Sequence, residues 1–330
     1  MRSVTEFKNS IFSVSESNFN ALALEIFQYQ AKNNPIYAAY LQFLKVKPSA
    51  IQKVEQIPFL PIQLFKSHKI VTGILPENCT VFESSTTTGA IPGKHYVADL
   101  ALYNLSSRLA FEKFFGNLSN YHFLALLPNY LERGASSLVQ MVKYFMEESG
   151  SAESGFHMYV HEKMLQQIKK LQERNDRKIF IIGVSFALLD FAEEYNIDLS
   201  DCIVMETGGM KGRRKELIRN ELHDILTKAF SAQRIYSEYG MTELLSQAYA
   251  KKDGIFESPP WMKILIRDAT DPFSYVEEGQ SGGVNIIDMA NIHSCCFIQT
   301  QDVGVKHNDG FGILGRLDNS DIRGCSLMYN

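Results

Sequence analysis

Lys178-Ile179-Phe180-Ile181-Ile182-Gly183 leads through Val184-Ser185 into Phe186–Tyr195, and the reading of this stretch decides the fold class. The first part is short and rich in β-branched and aromatic residues, so it reads as a strand. The second is longer and amphipathic, so it reads as a helix. The same unit recurs along the chain. Tyr121–Leu127, Cys202–Glu206 and Lys263–Arg267 read as strands, and Ser136–Glu148, Glu162–Arg174 and Lys215–Phe230 as helices. Strands alternating with helices predict an α/β core with substantial parallel sheet.

Outward from that core the pattern changes on both sides. Residues 1–80 read as a helical segment, with helical spacing in Phe19–Lys32 and Pro35–Leu44, broken by Ile57-Pro58-Phe59-Leu60-Pro61-Ile62. Residues 81–257 are the expected α/β core, and residues 258–330 a small antiparallel β section. That section has turns at Gly282-Gly283 and Asn308-Asp309-Gly310, and Gly315 to Asn330 form a linker or final strand. The chain has 330 residues, 45% hydrophobic and 21% charged, with 33 Lys+Arg against 37 Asp+Glu. That is ordinary globular composition. A net charge of −4 gives no basic surface for nucleic acid. No run reaches the roughly 18 apolar residues of a membrane span, and no apolar leader opens the chain. Five cysteines without a secretory signal read as reduced thiols. A soluble cytoplasmic protein is expected.

Four clusters carry chemistry. Ser84-Ser85-Thr86-Thr87-Thr88-Gly89-Ala90-Ile91-Pro92-Gly93-Lys94 suits a loop whose hydroxyls and N–H groups face an anion. It is not a Walker A loop, because only three residues separate its glycines and His95 follows the lysine. Glu206-Thr207-Gly208-Gly209-Met210, at a strand end, permits close approach of a flat ligand or a phosphate. Tyr239-Gly240-Met241-Thr242-Glu243 sets an aromatic ring, a hydroxyl and a carboxylate within five residues, either for a nucleotide and Mg²⁺ or as a plain strand-to-helix turn capped by Thr242. Asp302 before Gly304 and Arg316 after Gly315 could meet ribose or phosphate, although such aspartates usually mark turns.

Taken in order, these clusters resemble the adenylate-forming superfamily. The closer likeness is to its branch of phenylacetate–CoA ligase (PaaK) and the acyl-protein synthetase of bacterial bioluminescence (LuxE). The resemblance implies an adenylate-forming N-terminal-domain fold, with mixed sheets flanked by helices. It implies ATP-dependent activation of a carboxylic acid to an acyl-adenylate, then transfer of the acyl group to a thiol. By the same resemblance Ser84, Ser85, Thr86, Thr87, Thr88 and Gly89 hold the β- and γ-phosphates, with Lys94 adding charge. Tyr239 and Gly240 border adenine together with Gly208 and Gly209, Thr242 meets the α-phosphate, Glu243 binds Mg²⁺, and Asp302 takes the ribose beside Arg316. Phe123, Tyr130, Ser185, Phe186 and Met210 would line a pocket for a fatty or aromatic acid. Cys325 would receive the acyl group, with a partner protein or CoA as alternative acceptors. Two departures stand out. Thr86 occupies the place of the family's inner glycine, and the chain stops just past the hinge motif, without the lysine-bearing C-terminal domain of relatives.

Three other readings compete. Gly183-Val184-Ser185-Phe186-Ala187 resembles a nucleophile elbow, which would make Ser185 the nucleophile of a hydrolase or acyltransferase. A nucleotide-binding protein without turnover would keep the same motifs. His293, Cys295, Cys296 and His307 have some metal-ligand character, but alternation through Ile292–Thr300 favours a core strand.

Overall fold

The computed structural model describes residues 2–85, 91–128, 135–157, 160–208 and 217–316. The chain divides into two compact units, one made of the residues up to Glu77 with those from Pro260 on, the other of Asn78–Pro259.

The first unit holds α1 (Val4–Ile11), α2 (Glu16–Asn33), α3 (Pro35–Phe43), β1 (Leu60–Pro61) and α4 (Leu64–Ser67). Each of the first three helices opens on a residue suited to capping. Ser3 and Ser15 form capping boxes, and the Asn34 side chain accepts from Tyr37 N, with Pro35 in the first turn. The helical segment and the β-rich section, read as separate in the sequence, fold together here. Leu60 pairs in parallel with Ile298, and the buried Gln30 amide donates to the carbonyls of Asn291, Ile292 and Ser294. Local periodicity carries no signal for such contacts, which lie some 260 residues apart.

The second unit, in chain order, runs β2 (Thr80–Glu83), β3 (Lys94–Val97), α5 (Leu100–Phe115), β4 (Tyr121–Leu126), α6 (Ser137–Ser149), β5 (Gly155–Phe156), α7 (His161–Arg174), β6 (Lys178–Val184), α8 (Ser185–Glu194), β7 (Ile203–Thr207), α9 (Arg219–Phe230), β8 (Ile235–Tyr239), β9 (Ala248–Lys252) and β10 (Ile255–Glu257). Its sheet has the order β10-β9-β8-β7-β6-β4-β5. From β8 to β5 every pair is parallel, and β9 and β10 are antiparallel. The parallel strands are buried along nearly their whole length, as strands covered by helices on both faces must be. On one face the Phe111 ring lies 5.6 Å from Phe123, 5.0 Å from Phe145 and 5.1 Å from Phe180. On the other face α8 and α9 meet through Phe191 and Phe230, 5.8 Å apart.

Back in the first unit, β11 (Met262–Arg267), β12 (Ser281–Asp288), β13 (Phe297–His307) and β14 (Gly310–Arg316) form an antiparallel run. Gly282 and Gly283 lie inside β12 and do not form the expected turn. Their missing side chains leave room for Arg267, as a methyl on Gly283 would stand 2.2 Å from its guanidinium carbon. That guanidinium, buried, donates to the carbonyls of Val284 and Thr300 and to Asn285 Oδ1. Cys295 and Cys296 are fully buried, and among the described residues no three or more His, Cys, Asp or Glu side chains converge to hold a metal ion. Among the described residues, no helix is long and apolar enough to cross a membrane.

Phe123 belongs to the aromatic interior. It is buried beside the rings of Phe111, Phe145 and Phe180. Replacing Phe123 by alanine is expected to cost about 3–5 kcal/mol. Urea unfolding checks this, and the loss should be the same with and without carboxylic acids.

Candidate functional site

β2 and β3 form an antiparallel hairpin, and the hydroxyl-rich segment is its connection. The pairing continues one step beyond the strands. Ser84 N donates to the Gly93 carbonyl at 2.9 Å, and Gly93 N donates to Ser84 Oγ at 2.7 Å. Ser84 therefore fixes the mouth of the loop with its side chain as well as its backbone. Lys94 pairs with Glu83 at 3.0 Å across the hairpin base, with both side chains about half exposed.

The second cluster comes to this mouth from β8. After Tyr239 the chain turns through Thr242 and Glu243 and returns as β9, where Ala248 pairs with Tyr239. No helix follows, so the capped-helix alternative for Thr242 does not hold. The Glu243 side chain is buried and meets the hairpin, where a methyl on Gly93 would stand 2.6 Å from Glu243 Oε1 and 3.3 Å from Ser84 Oγ. Gly93 has no left-handed backbone, so its glycine is explained by the space the carboxylate takes. His95, on β3 and fully buried, donates from Nδ1 to the Thr242 carbonyl at 2.8 Å. Burial drives its pKa down to about 4, against the raising effect of that bond. It is therefore a neutral donor that ties the Thr242–Glu243 turn to the hairpin. Sequence reading missed His95, whose only signal was a histidine alternating with Lys94 and Tyr96 on a short strand.

The ends of β6, β7 and β8 supply the next layer, at the carboxyl edge of the parallel strands where open α/β sheets bind ligands. Gly208 takes φ +70, a left-handed value suited to glycine. Ser185 opens α8 in ordinary helical geometry, and it is not among the residues with positive φ. Its hydroxyl lies 3.2 Å from Glu206 Oε2 and 3.1 Å from the Gly208 carbonyl. Both partners are acceptors and neither is an imidazole, so the strained elbow of a serine hydrolase is not present. Phe186, next along α8, is buried. Tyr239 ends β8 with its ring 5.7 Å from that of Phe256.

Two buried carboxyls that the sequence did not single out sit on β7 and β8. Burial alone would raise the Glu206 pKa, yet it lies below the ordinary value because His223, Arg219 and Ser237 favour its charge. Arg219 Nε is 3.3 Å from its Oε1. For Glu238, among the described residues, the Thr207 hydroxyl donates to its Oε2. Burial, with the Glu206 charge adding to it, raises Glu238 to about 7.

In the first unit Asp302 pairs across the ladder with Arg316, whose Nε stands 3.2 Å from Asp302 Oδ1. Arg316 is mostly exposed and Asp302 largely buried. Thr86, Thr87, Thr88, Gly89, Tyr130, Gly209, Met210 and Cys325 lie outside the described residues.

A hydrogen-bonded serine, histidine and aspartate also occur at the other end of β4. His122 Nδ1 is 2.6 Å from Ser151 Oγ, and its Nε2 is 3.0 Å from Asp176 Oδ1. The neighbouring polar cavity of about 580 Å³ is lined by Asp176 and Lys178 but not by Ser151, so the serine does not face it.

No protein-family model matches the chain. Over 341 residues it is 24% identical to the long-chain-fatty-acid–luciferin-component ligase of Vibrio harveyi, covering 92% of this chain and 85% of that protein. Among solved structures, an open conformation of 2-hydroxyisobutyryl-CoA ligase in complex with 2-HIB-AMP and CoA superposes with TM-score 0.69 at 13% identity, over 91% of this chain and 70% of that one. ATP-bound MatB from Rhodopseudomonas palustris gives 0.53 at 15%, over 72% and 47%. The luciferase-like enzyme of the mealworm Zophobas morio gives 0.50 at 18%, over 75% and 60%. The structural likenesses establish the fold, which is that of these ligases, and the sequence likeness to the luciferin-component ligase runs along nearly the whole chain.

Proposed function

We propose that this protein is an acid–thiol ligase that activates a fatty or aromatic carboxylic acid with ATP and passes the acyl group to a thiol. The observation that carries this reading is the meeting of the hydroxyl-rich hairpin with the Thr242–Glu243 turn, through Gly93, Ser84 and His95. A substrate carboxylate and a triphosphate are both anions, so the site must supply donors and positive charge and hold the reactants in line. The substrate oxygen forms a bond to the α-phosphorus, and the bond from that phosphorus to the bridging oxygen breaks, with its electron pair leaving on pyrophosphate.

The residues present suit that task. Hydroxyls and N–H groups of the hairpin connection would take the β- and γ-phosphates, the Thr242 hydroxyl the α-phosphate, and Tyr239 the adenine. For Asp302 the resemblance assigns the ribose hydroxyls. Glu243 would hold Mg²⁺, which when bound neutralises phosphate charge. Neutral His95 keeps the Thr242 carbonyl turned away from the phosphates and adds no charge of its own. The protein's setting in this reading is the cytoplasm.

The resemblance implies Cys325 as the acceptor thiol; of the four described cysteines, Cys79 and Cys202 are half-buried and Cys295 and Cys296 buried. Burial pushes Cys295 up to about 12, and raises Cys296 and Cys202 as well, so none of the three is a thiolate nucleophile near neutral pH. Cys325 is the proposed acceptor within the chain, with a partner protein or CoA as the external ones. Incubation with ATP, Mg²⁺ and a panel of acids should yield hydroxamates when hydroxylamine is added. With a radiolabelled fatty acid, a thiol-labile protein band should form and vanish in Cys325→Ala. Absence of hydroxamate with every acid rejects the activation step. An unchanged band in Cys325→Ala rejects that acceptor alone.

A further inference from the structure

The glycine of the Tyr239–Glu243 turn needs an explanation that nucleotide binding does not supply. Gly240 has no positive φ, so its backbone does not demand glycine. What a side chain would meet is the Glu238 carboxyl, since a methyl on Gly240 would stand 2.5 Å from Glu238 Oε1 and 3.4 Å from Gln247 Cγ. The other carboxyl oxygen, Oε2, accepts from the Thr207 hydroxyl at the end of β7, where Thr207 and Glu238 are direct ladder partners. One carboxyl therefore touches both the β7 end and the corner of the turn that carries Thr242 and Glu243.

We infer that Glu238 is a positioning residue for the proposed adenylation site: its carboxyl, holding a proton, clamps the Gly240 corner to the end of β7, and loss of the proton slackens the turn. The inference rests on the adenylation reading. Burial and the Glu206 charge favour the neutral form of Glu238, against the Thr207 hydrogen bond, which favours the ionised form. Thr207 faces it from β7, Tyr249 is its ladder partner on β9, Gln247 stands beside it in the connection, and Tyr103 approaches from α5, while Glu206, paired with Ser237, acts on it from the opposite face of the sheet. Arg219 and His223 both engage the Glu206 carboxylate instead. Two buried carboxyls in such unlike surroundings titrate apart. Ionised, Glu238 would feel the charge of Glu206 through the sheet, with no cation to offset it among the described residues that act on it.

The sign of the pH dependence follows. Glu238 titrates near 7 in the fold against an ordinary 4.5, so the fold binds the proton more tightly. Its contribution to stability is complete below about pH 4.5 and is lost as pH rises through 7.

Acid-dependent pyrophosphate exchange, measured from about pH 5.5 to 8.5 for wild type, Glu238→Gln and Glu238→Ala, tests the clamp. Wild-type kcat should fall as pH rises through about 7, with KM for the acid little changed. Glutamine keeps an acceptor for Thr207 but cannot ionise. That variant should retain at least about a third of wild-type kcat on the acid side and lose the alkaline fall. Alanine removes the clamp and should lower kcat about 10–100-fold at every pH. An alkaline fall that persists in Glu238→Gln, or wild-type kcat in Glu238→Ala, overturns the proposal. Melting temperatures over the same pH range give a readout independent of turnover. The wild-type value should decline relative to Glu238→Gln as pH rises, and a difference constant with pH overturns the clamp. If none of the three proteins catalyses exchange, the adenylation reading fails and the melting curves alone decide the clamp.

Discussion

Glu243→Gln is expected to lower acid-dependent pyrophosphate exchange by about 10²–10³-fold while leaving the melting temperature nearly unchanged. The shape argument comes first. Glutamine is nearly isosteric, and the space left by Gly93 admits either side chain. The Thr242 carbonyl remains tied to His95, so the turn keeps its place. What changes is charge. A carboxylate beside the proposed triphosphate would repel it unless a cation stood between them. The proposed reaction brings that cation as Mg²⁺ with the triphosphate. Removing the charge should raise the Mg²⁺ concentration needed for half-maximal exchange as well as lowering the rate. Glu153→Gln is a suitable control, because Glu153 belongs to a surface network with Lys170 and Arg174. It should stay within about twofold of wild type, as surface ion pairs contribute little. Exchange in Glu243→Gln within tenfold of wild type would remove Glu243 from the chemistry.

The parallel strands were legible in the sequence because they are buried along nearly their whole length. Their apolar runs are short, continuous and rich in β-branched residues, a pattern that marks a strand but does not separate them from antiparallel β11. The clusters at their ends were legible as clusters. Their partners were not. Glu206 and Glu238 stand in strands among Val, Met, Ser and Tyr, and a lone carboxylate there looks like an exposed residue, because glutamates are rarely buried unless paired. The partners that permit burial, Arg219 and His223 for Glu206 and Thr207 for Glu238, come from other elements. The turn after Tyr239 was misjudged for a related reason. Turn chemistry marks where a strand stops, but not whether a helix or a returning strand follows.

A large structural effect should also come from the first unit, where two glycines looked like a turn and are not one. Gly282→Ala is expected to destabilise the protein by about 3 kcal/mol or more, from overpacking. The added methyl would stand 2.1 Å from the Arg267 carbonyl oxygen and 3.1 Å from Ile266 Cγ2. The nearer atom belongs to the backbone of the neighbouring strand, so no rotamer change relieves the clash. Moving β11 away would also disturb Arg267, whose guanidinium donates to two carbonyls and one side-chain oxygen from the same sheet. A buried cation stripped of acceptors adds a further penalty. Backbone entropy pulls the other way, since glycine to alanine at a tolerant site stabilises by about 0.4–1 kcal/mol through the unfolded chain. Gly155 supplies that comparison. It lies in a strand, has no positive φ, and a methyl there meets nothing within 4 Å. Urea unfolding should therefore show opposite signs for the same chemical change, with Gly155→Ala neutral to stabilising and Gly282→Ala strongly destabilising. Equal midpoints for the two variants would mean that the close approach of β11 to Gly282 does not exist in solution.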